Sequence, residues 1–176
     1  MLGDPATLRG HLRDIHDFPS PGIVFKDITP LLGDPDAFRL VIDAIAEEWA
    51  DAGIDRVAGI EARGFLFAAP VAYRLGAGLI PIRKPGKLPW EVVEQSYELE
   101  YGVDQVQAHR DAAAAGERVL IVDDVLATGG TASAVCTLIE SLGATVVGVH
   151  VLLELGFLQG RARLGDRDVR ALLVEA

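Results

Sequence analysis

The sequence predicts an α/β fold, a central and mainly parallel sheet flanked by helices, and three observations carry that expectation. Short apolar runs at 56–60, 79–82, 119–122 and 146–153 have the length and composition of strands covered on both faces. Stretches of helical periodicity alternate with them, as in strand–helix–strand crossovers of the right-handed parallel kind. Half of the residues are hydrophobic but only 6% are aromatic, so the core is expected to be aliphatic. No repeat, linker or low-complexity tract interrupts the 176 residues. They read as one domain, 1–176, large enough to bury a full core.

In chain order, residues 1–17 carry a weak helical pattern (Leu8, Leu12, Ile15) and are expected to form an N-terminal arm or short helix. Phe18-Pro-Ser-Pro-Gly22 must be loop, because two prolines and a glycine cannot sit inside a helix. In the next segment, 23–30, Phe25 is either core or a flat platform for an aromatic ligand. Asp34 and Pro35 read as an N-cap and first helical residue. The helix they open has an apolar stripe of Phe38, Val41, Ile42, Ile45 and Trp49. Strand 56–60 leads into the turn Glu61-Ala-Arg-Gly64, a helix from about Phe65 to Leu75 stops at Gly76, and 79–82 is the next strand.

Residues 84–110 then break the alternation. Period-2 spacing of Tyr97, Leu99 and Tyr101, with Gly102 dividing segments 96–101 and 104–109, predicts a hairpin reaching off the sheet. A polar excursion of this length reads as a lid. Glu100 on it is either a general acid/base or a surface carboxylate. The strand at 119–122 ends in Asp123 and Asp124. A helix opens at Thr131 with Val135, Leu138, Ile139 and Leu142 on one face and Gly143 as its stop. Strands 146–153 and 169–174 follow.

The stretch 119–131 holds the clearest chemistry. A strand, a glycine-rich turn and a helix N-terminus make an anion site, because unpaired N–H groups and the positive end of the helix dipole face the loop. Gly129 and Gly130 let the backbone approach a ligand, and Thr128 and Thr131 add hydroxyl donors. Asp123 and Asp124 can accept hydrogen bonds from sugar hydroxyls or hold a divalent cation through water. Phosphate at one end and hydroxyls beside it describe a ribose 5-phosphate. No Gly-Lys-Ser/Thr follows the glycines and no G-x-G-x-x-G occurs, which disfavours nucleoside triphosphates and dinucleotides. In a parallel sheet, ligands bind at the carboxyl ends of the strands, where both 61–64 and 123–131 fall.

The formal charge is −10, which argues against wrapping nucleic acid. Yet 62–90 holds no Asp or Glu and carries Arg63, Arg74, Arg83, Lys84 and Lys87, a basic island suited to a small polyanion. No apolar run approaches ~18 residues and no charged-then-apolar leader opens the chain. With Cys136 as the single cysteine, read as a small helix residue, this suits a cytoplasmic protein that neither spans a membrane nor is secreted.

The run Val122-Asp-Asp-Val-Leu-Ala-Thr-Gly-Gly-Thr131 resembles the phosphoribosyl-pyrophosphate (PRPP) motif of type I phosphoribosyltransferases. The segments 18–30, 59–65, 82–89 and 96–102 extend the resemblance over nearly the whole chain, to the adenine phosphoribosyltransferase family. It implies Mg²⁺-dependent transfer of the 5-phosphoribosyl group from PRPP to adenine, giving AMP and pyrophosphate, by a homodimer. Phe25 would stack on one face of adenine and Leu155 on the other, with backbone groups of Val24 to Lys26 reading its edge. Residues 1–35 would then be arm and base-binding segment, and 84–110 a flexible lid.

The resemblance also implies that Asp123 and Asp124 hold the ribose hydroxyls, with Asp124 favouring the cationic sugar. Ala127, Thr128, Gly129, Gly130 and Thr131 would bind the 5-phosphate. Arg63, Arg83 and Lys87 would bind pyrophosphate, Arg83 reaching across the dimer interface, beside a cis peptide between Glu61 and Ala62. Glu100 would manage the purine proton at N7, and Tyr101 would close the lid with it. Lys26 stands where many relatives have Arg, and Trp90 falls where the loop varies. Three other readings compete: the same reaction on a different base, a regulator that keeps the fold as a PRPP sensor, and a purely structural α/β domain. The acidic chain and the lid carboxylate disfavour the second. The basic island beside an acidic pair disfavours the third.

Overall fold

The computed structural model describes residues 5–99 and 102–176. A 3₁₀ turn, Pro5–His11, precedes β1 (Arg13–His16), β2 (Val24–Asp27), α1 (Thr29–Gly33) and α2 (Pro35–Glu48). Then come β3 (Arg56–Ile60), α3 (Gly64–Leu75), β4 (Gly78–Ile82), β5 (Val92–Leu99), β6 (Gly102–His109) and β7 (Arg118–Leu126). The chain continues through α4 (Gly130–Ser141), β8 (Thr145–Leu155), two short 3₁₀ turns and β9 (Val169–Glu175). Five strands form the main sheet in the order β4-β3-β7-β8-β9, every neighbour parallel. Two antiparallel ribbons, β1–β2 and β5–β6, lie outside it.

The unbroken apolar run of β7 explains why both faces of the sheet are covered. Val119, Leu120, Ile121 and Val122 are all fully buried, and successive side chains point to opposite faces. Val119 and Ile121 join a core layer with Val135, Leu138 and Ile139 of α4 and with Val106 and Ala108 of β6. Leu120 and Val122 join a second layer with Val41, Ile45 and Trp49 of the α2 segment and with Phe67 and Val71 of α3. Asp34 caps α2 by accepting from the N–H groups of Asp36 and Ala37, both 2.9 Å away. Gly76, with φ at 65°, ends α3 in the left-handed conformation. Cys136 is buried among these residues, and burial pushes its thiol up to about 11. No helix among the described residues is long and apolar enough to cross a membrane.

Three elements differ from the sequence reading. The arm turns into a strand at Arg13, because pairing with β2 and the Arg13–Asp27 ion pair outweigh a weak local helical pattern. The hairpin starts at Val92 rather than near residue 96. β7 runs on to Leu126, so the two carboxylates lie within the strand rather than at its end. β8 extends alongside as far as Leu155 and supplies ladder partners for Asp123, Val125 and Leu126. Glu100 and Tyr101, the expected lid residues, lie outside the described residues.

Candidate active site

Because β3, β4 and β7 are parallel, their carboxyl ends share one edge. Each delivers a different kind of group there: the turn Glu61–Arg63 after β3, the cations Arg83 and Lys84 after β4, and the acidic pair near the end of β7. A polar cleft of about 270 Å³ opens between them, lined among others by Glu61, Arg63, Lys84, Asp123, Asp124 and the whole loop 127–131.

The floor of the cleft is the turn from β7 into α4. Gly129 takes φ +81° at the N-cap of α4, a conformation that favours glycine, and its carbonyl accepts from Ser133 N–H at 2.9 Å. The loop is held from behind by a residue far away in sequence. A methyl group on Gly129 would run into the Gly160 carbonyl, and one on Gly160 would run into the Ala127 carbonyl. Gly160 is therefore part of the site's support, and nothing local in the sequence marks it.

The two carboxylates occupy different surroundings. Asp124 is only 4% exposed, and Arg63 Nε lies 2.6 Å from its Oδ2. The Arg63 N–H is not aimed at that oxygen, which therefore has charge contact but no hydrogen bond. Asp123 accepts the Asp124 N–H at 2.9 Å. Enclosure, then the adjacent Asp124 charge, push the Asp123 carboxyl well above the usual range.

Arg63 also stacks its guanidinium over the Phe25 ring, 5.0 Å from the centroid, which takes it toward a second, apolar slot. That slot, about 210 Å³, is lined by Ile23, Val24, Phe25, Lys26, Arg63, Val125, Ala127 and Leu155. All four residues assigned from the resemblance to base binding thus share one cavity. Phe18 supports the Phe25 ring edge-on at 5.2 Å.

Of the three expected pyrophosphate ligands, Arg63 lines the cleft. Arg83 is turned to its own chain, where its Nε donates to Glu61 Oε2 at 2.9 Å. That bond, together with one from Lys84 N–H, holds the Glu61 carboxyl below its ordinary range. Lys87 is exposed in the turn beyond. The cation that does line the cleft is Lys84, which sequence reasoning placed in the basic island without giving it a role. Lys84 forms an ion pair with Asp104 and donates to the Tyr97 hydroxyl at 3.0 Å. Tyr97 donates to Asp104 at 2.9 Å and accepts from Thr131 Oγ1 at 3.1 Å, which ties the hairpin to the loop 127–131. Burial opposes both charges, but their hydrogen bonds win, raising the Lys84 pKa and lowering that of Asp104. The peptide between Glu61 and Ala62 is cis.

Comparison with known proteins places this geometry in a family. The phosphoribosyl transferase domain model matches residues 31–170. The adenine phosphoribosyltransferase of Thermobifida fusca (strain YX) is 62% identical over 173 residues, covering 98% of either chain. The crystal structure of adenine phosphoribosyltransferase from Thermoanaerobacter pseudethanolicus superposes with a TM-score of 0.95 at 50% identity, over 97% of this chain and 99% of that one. The Saccharomyces cerevisiae enzyme, complexed with D-2,5-dideoxy-2,5-imino-altritol 1,6-bisphosphate and adenine, gives a TM-score of 0.91 at 41% identity, over 96% and 98%. The parallel five-stranded sheet between helices is the type I phosphoribosyltransferase fold. The chain belongs to the phosphoribosyl transferase family, in its adenine phosphoribosyltransferase branch.

Proposed function

We propose that the cleft and the slot together transfer the 5-phosphoribosyl group of PRPP to adenine, giving AMP and pyrophosphate. The observation that carries this reading is a shared wall. Arg63, Val125 and Ala127 line both cavities, so a flat base in the slot would meet a sugar phosphate in the cleft at the end of β7. The adenine held by the Saccharomyces cerevisiae relative supports the choice of base.

In this reading Phe25 and Leu155 sandwich the adenine, and backbone groups of Val24 to Lys26 read its edge. Residues 127–131 take the 5-phosphate on the α4 N-terminus. Asp123 and Asp124 accept the ribose hydroxyls, which supply the donor that Asp124 Oδ2 lacks. Cleaving the bond from C1 to pyrophosphate leaves positive charge on the sugar and negative charge on the departing group. Asp124 stabilises the first, and Arg63, Lys84, Arg83 and Lys87 are the cations available to the second. Adenine N9 attacks C1 with inversion, and Glu100 takes the purine proton at N7 while Tyr101 helps exclude water. Substrate diphosphate would compete with Asp124 for Arg63.

Mg²⁺ fits this donor set. The carboxylate oxygens of Asp123 and Asp124 are hard ligands, and among the described residues no group of three or more His, Cys, Asp or Glu is placed to hold a metal alone. The ion would therefore depend on substrate oxygens and water, with the carboxylates reaching it directly or through water. When bound, it would neutralise part of the diphosphate charge.

The same reading includes a cytoplasmic location, a single functional unit spanning 1–176, and a homodimer. Leu66 and Tyr73, about two helical turns apart on α3, are 45% and 86% exposed, and Leu79 on β4 is 43% exposed. These residues offer an apolar face to a second copy. The test of the reaction is pyrophosphate release from PRPP and Mg²⁺ with adenine, hypoxanthine, guanine, xanthine and orotate supplied separately. Release with adenine alone, matched by AMP, is expected. Release with another base only would discard the Phe25-segment assignment, and PRPP binding without release on any base would favour a sensor.

A further inference from the structure

The two walls of the base slot belong to different sheets. Phe25 stands on the β1–β2 ribbon, while Leu155 ends β8 of the main sheet. Among the described residues, no backbone hydrogen bond joins β2 to β8 or β9. A side-chain link joins them instead. Lys26 Nζ lies 2.9 Å from Glu175 Oε1 and 2.8 Å from Asp14 Oδ1, and its side chain is 13% exposed.

The two carboxylates are not equivalent in position. Asp14 is the ladder partner of Lys26 within the ribbon, so it moves with the ribbon. Glu175 is the ladder partner of Leu155 in the main sheet. Lys26–Glu175 is the only ion pair among the described residues that joins the ribbon to the main sheet. The other two ribbon pairs, Arg13–Asp27 and Lys26–Asp14, close within it.

We infer that Glu175 is a positioning residue for the purine: through Lys26 it sets the separation of Phe25 from Leu155, and so the width of the base slot. The inference rests on the reading that the slot holds adenine. Glu175 touches no substrate in this account. It acts on the wall beside Phe25, and no ion pair or hydrogen bond among the described residues joins its side chain to the loop 127–131. Loss of the link should therefore weaken the binding of the base far more than the handling of PRPP, which the ribbon touches through the stacking of Arg63 on Phe25.

Steady-state kinetics of Glu175→Gln, Asp14→Asn and the exposed control Arg39→Gln, each with adenine and PRPP varied separately, test this. Glu175→Gln is expected to raise the KM for adenine about tenfold, as for losing one charge-assisted hydrogen bond at a binding wall. Its kcat and its KM for PRPP should stay within about twofold, and Asp14→Asn should shift the adenine KM less. Adding Glu175→Gln to a Lys26→Met background should change the adenine KM much less than it does in the parent chain, because the link to the ribbon is already lost and what remains is the 3.9 Å contact of Glu175 with Arg9, outside the ribbon. Circular dichroism and thermal melting confirm that each variant is folded. An adenine KM unchanged in Glu175→Gln, or a PRPP KM raised equally, would overturn the inference while adenine turnover by the parent chain keeps the functional reading. Absence of adenine turnover in the parent chain would overturn both.

Discussion

Gly64→Ala separates stability from function in a way the structure makes quantitative. Gly64 is the first residue of α3, where alanine is the better helix former by up to about 1 kcal/mol. Its φ is not positive, so the backbone accepts a side chain. A methyl group there, however, would lie 2.6 Å from Asp123 Oδ1, 3.2 Å from the Val122 carbonyl oxygen and 3.4 Å from Asp123 Cα. The carboxylate would have to retreat by roughly 0.8 Å to reach an ordinary contact of 3.4 Å. That retreat strains the bond from Asp124 N–H to Asp123, and the buried β7 backbone behind it cannot follow.

Overpacking of this kind costs about 1–3 kcal/mol, which the gain in helix propensity partly offsets. The melting temperature should therefore fall by only a few degrees. A misplacement approaching 1 Å at a substrate-positioning group costs on the order of 10²-fold in rate. Pyrophosphate-release kinetics should show kcat/KM for PRPP down by about that factor, with calorimetry reporting a folded protein. Gly33→Ala, in α1 with nothing within 4 Å of the added methyl, is the matched control and should leave kcat/KM unchanged. Wild-type kcat/KM in Gly64→Ala would refute the placement of Asp123 in the ribose site.

Three further outcomes are expected. Asp124→Asn removes the charge that faces Arg63 and the sugar, and should lower kcat/KM by roughly 10²–10³-fold; a change below threefold would take Asp124 out of the mechanism. Tyr73→Asp should convert a dimer to monomer in light scattering if α3 forms the contact, and a dimer that persists would move the interface elsewhere. His150 is fully buried, accepts the Trp49 indole N–H at 3.0 Å, and has its pKa lowered to about 4 by burial and then by Arg170. A depressed histidine pKa means that the unfolded chain takes up the proton first. His150 should thus contribute stability above pH ~6.5 that is lost between about 6.5 and 4, on the order of 3 kcal/mol in all. Urea unfolding across that window should show the parent chain losing about that much more stability than His150→Gln as the pH falls, the contributions of other groups such as Asp123 being common to both. Equal losses would assign the effect to other groups.

Where local chemistry decides structure, the residues announced it. Asp34-Pro35 opens α2, Gly76 closes α3, and the stretch from Asp123 to Thr131 forms the floor of the cleft. What the sequence hid depends on neighbours distant in the chain. β1 exists because β2 lies beside it, and Arg13–His16 carries no strand pattern strong enough to reveal this. The extension of β7 had a signal in Val125 and Leu126, apolar residues resuming after the acidic pair, but only the ladder to β8 makes them strand. Lys84 and Lys87 look alike in sequence. The hairpin residues Tyr97 and Asp104 draw Lys84 to the cleft edge. Gly160 backs the loop 127–131 by close approach alone, a contact no periodicity encodes.

The separation of the β1–β2 ribbon from the main sheet has a consequence for how such a protein can change over generations. The floor of the cleft is one continuous piece of chain, and its geometry is bound up with the core of the sheet. Half of the residues lining the apolar slot, Ile23 to Lys26, lie at or in β2, on a ribbon that shares no backbone ladder with that sheet. Under the proposed assignment of the two cavities, drift in the ribbon can therefore reshape what the slot accepts while the floor of the cleft stays as it is. A lineage built this way can explore new acceptors by altering one short appendage while inheriting the rest intact.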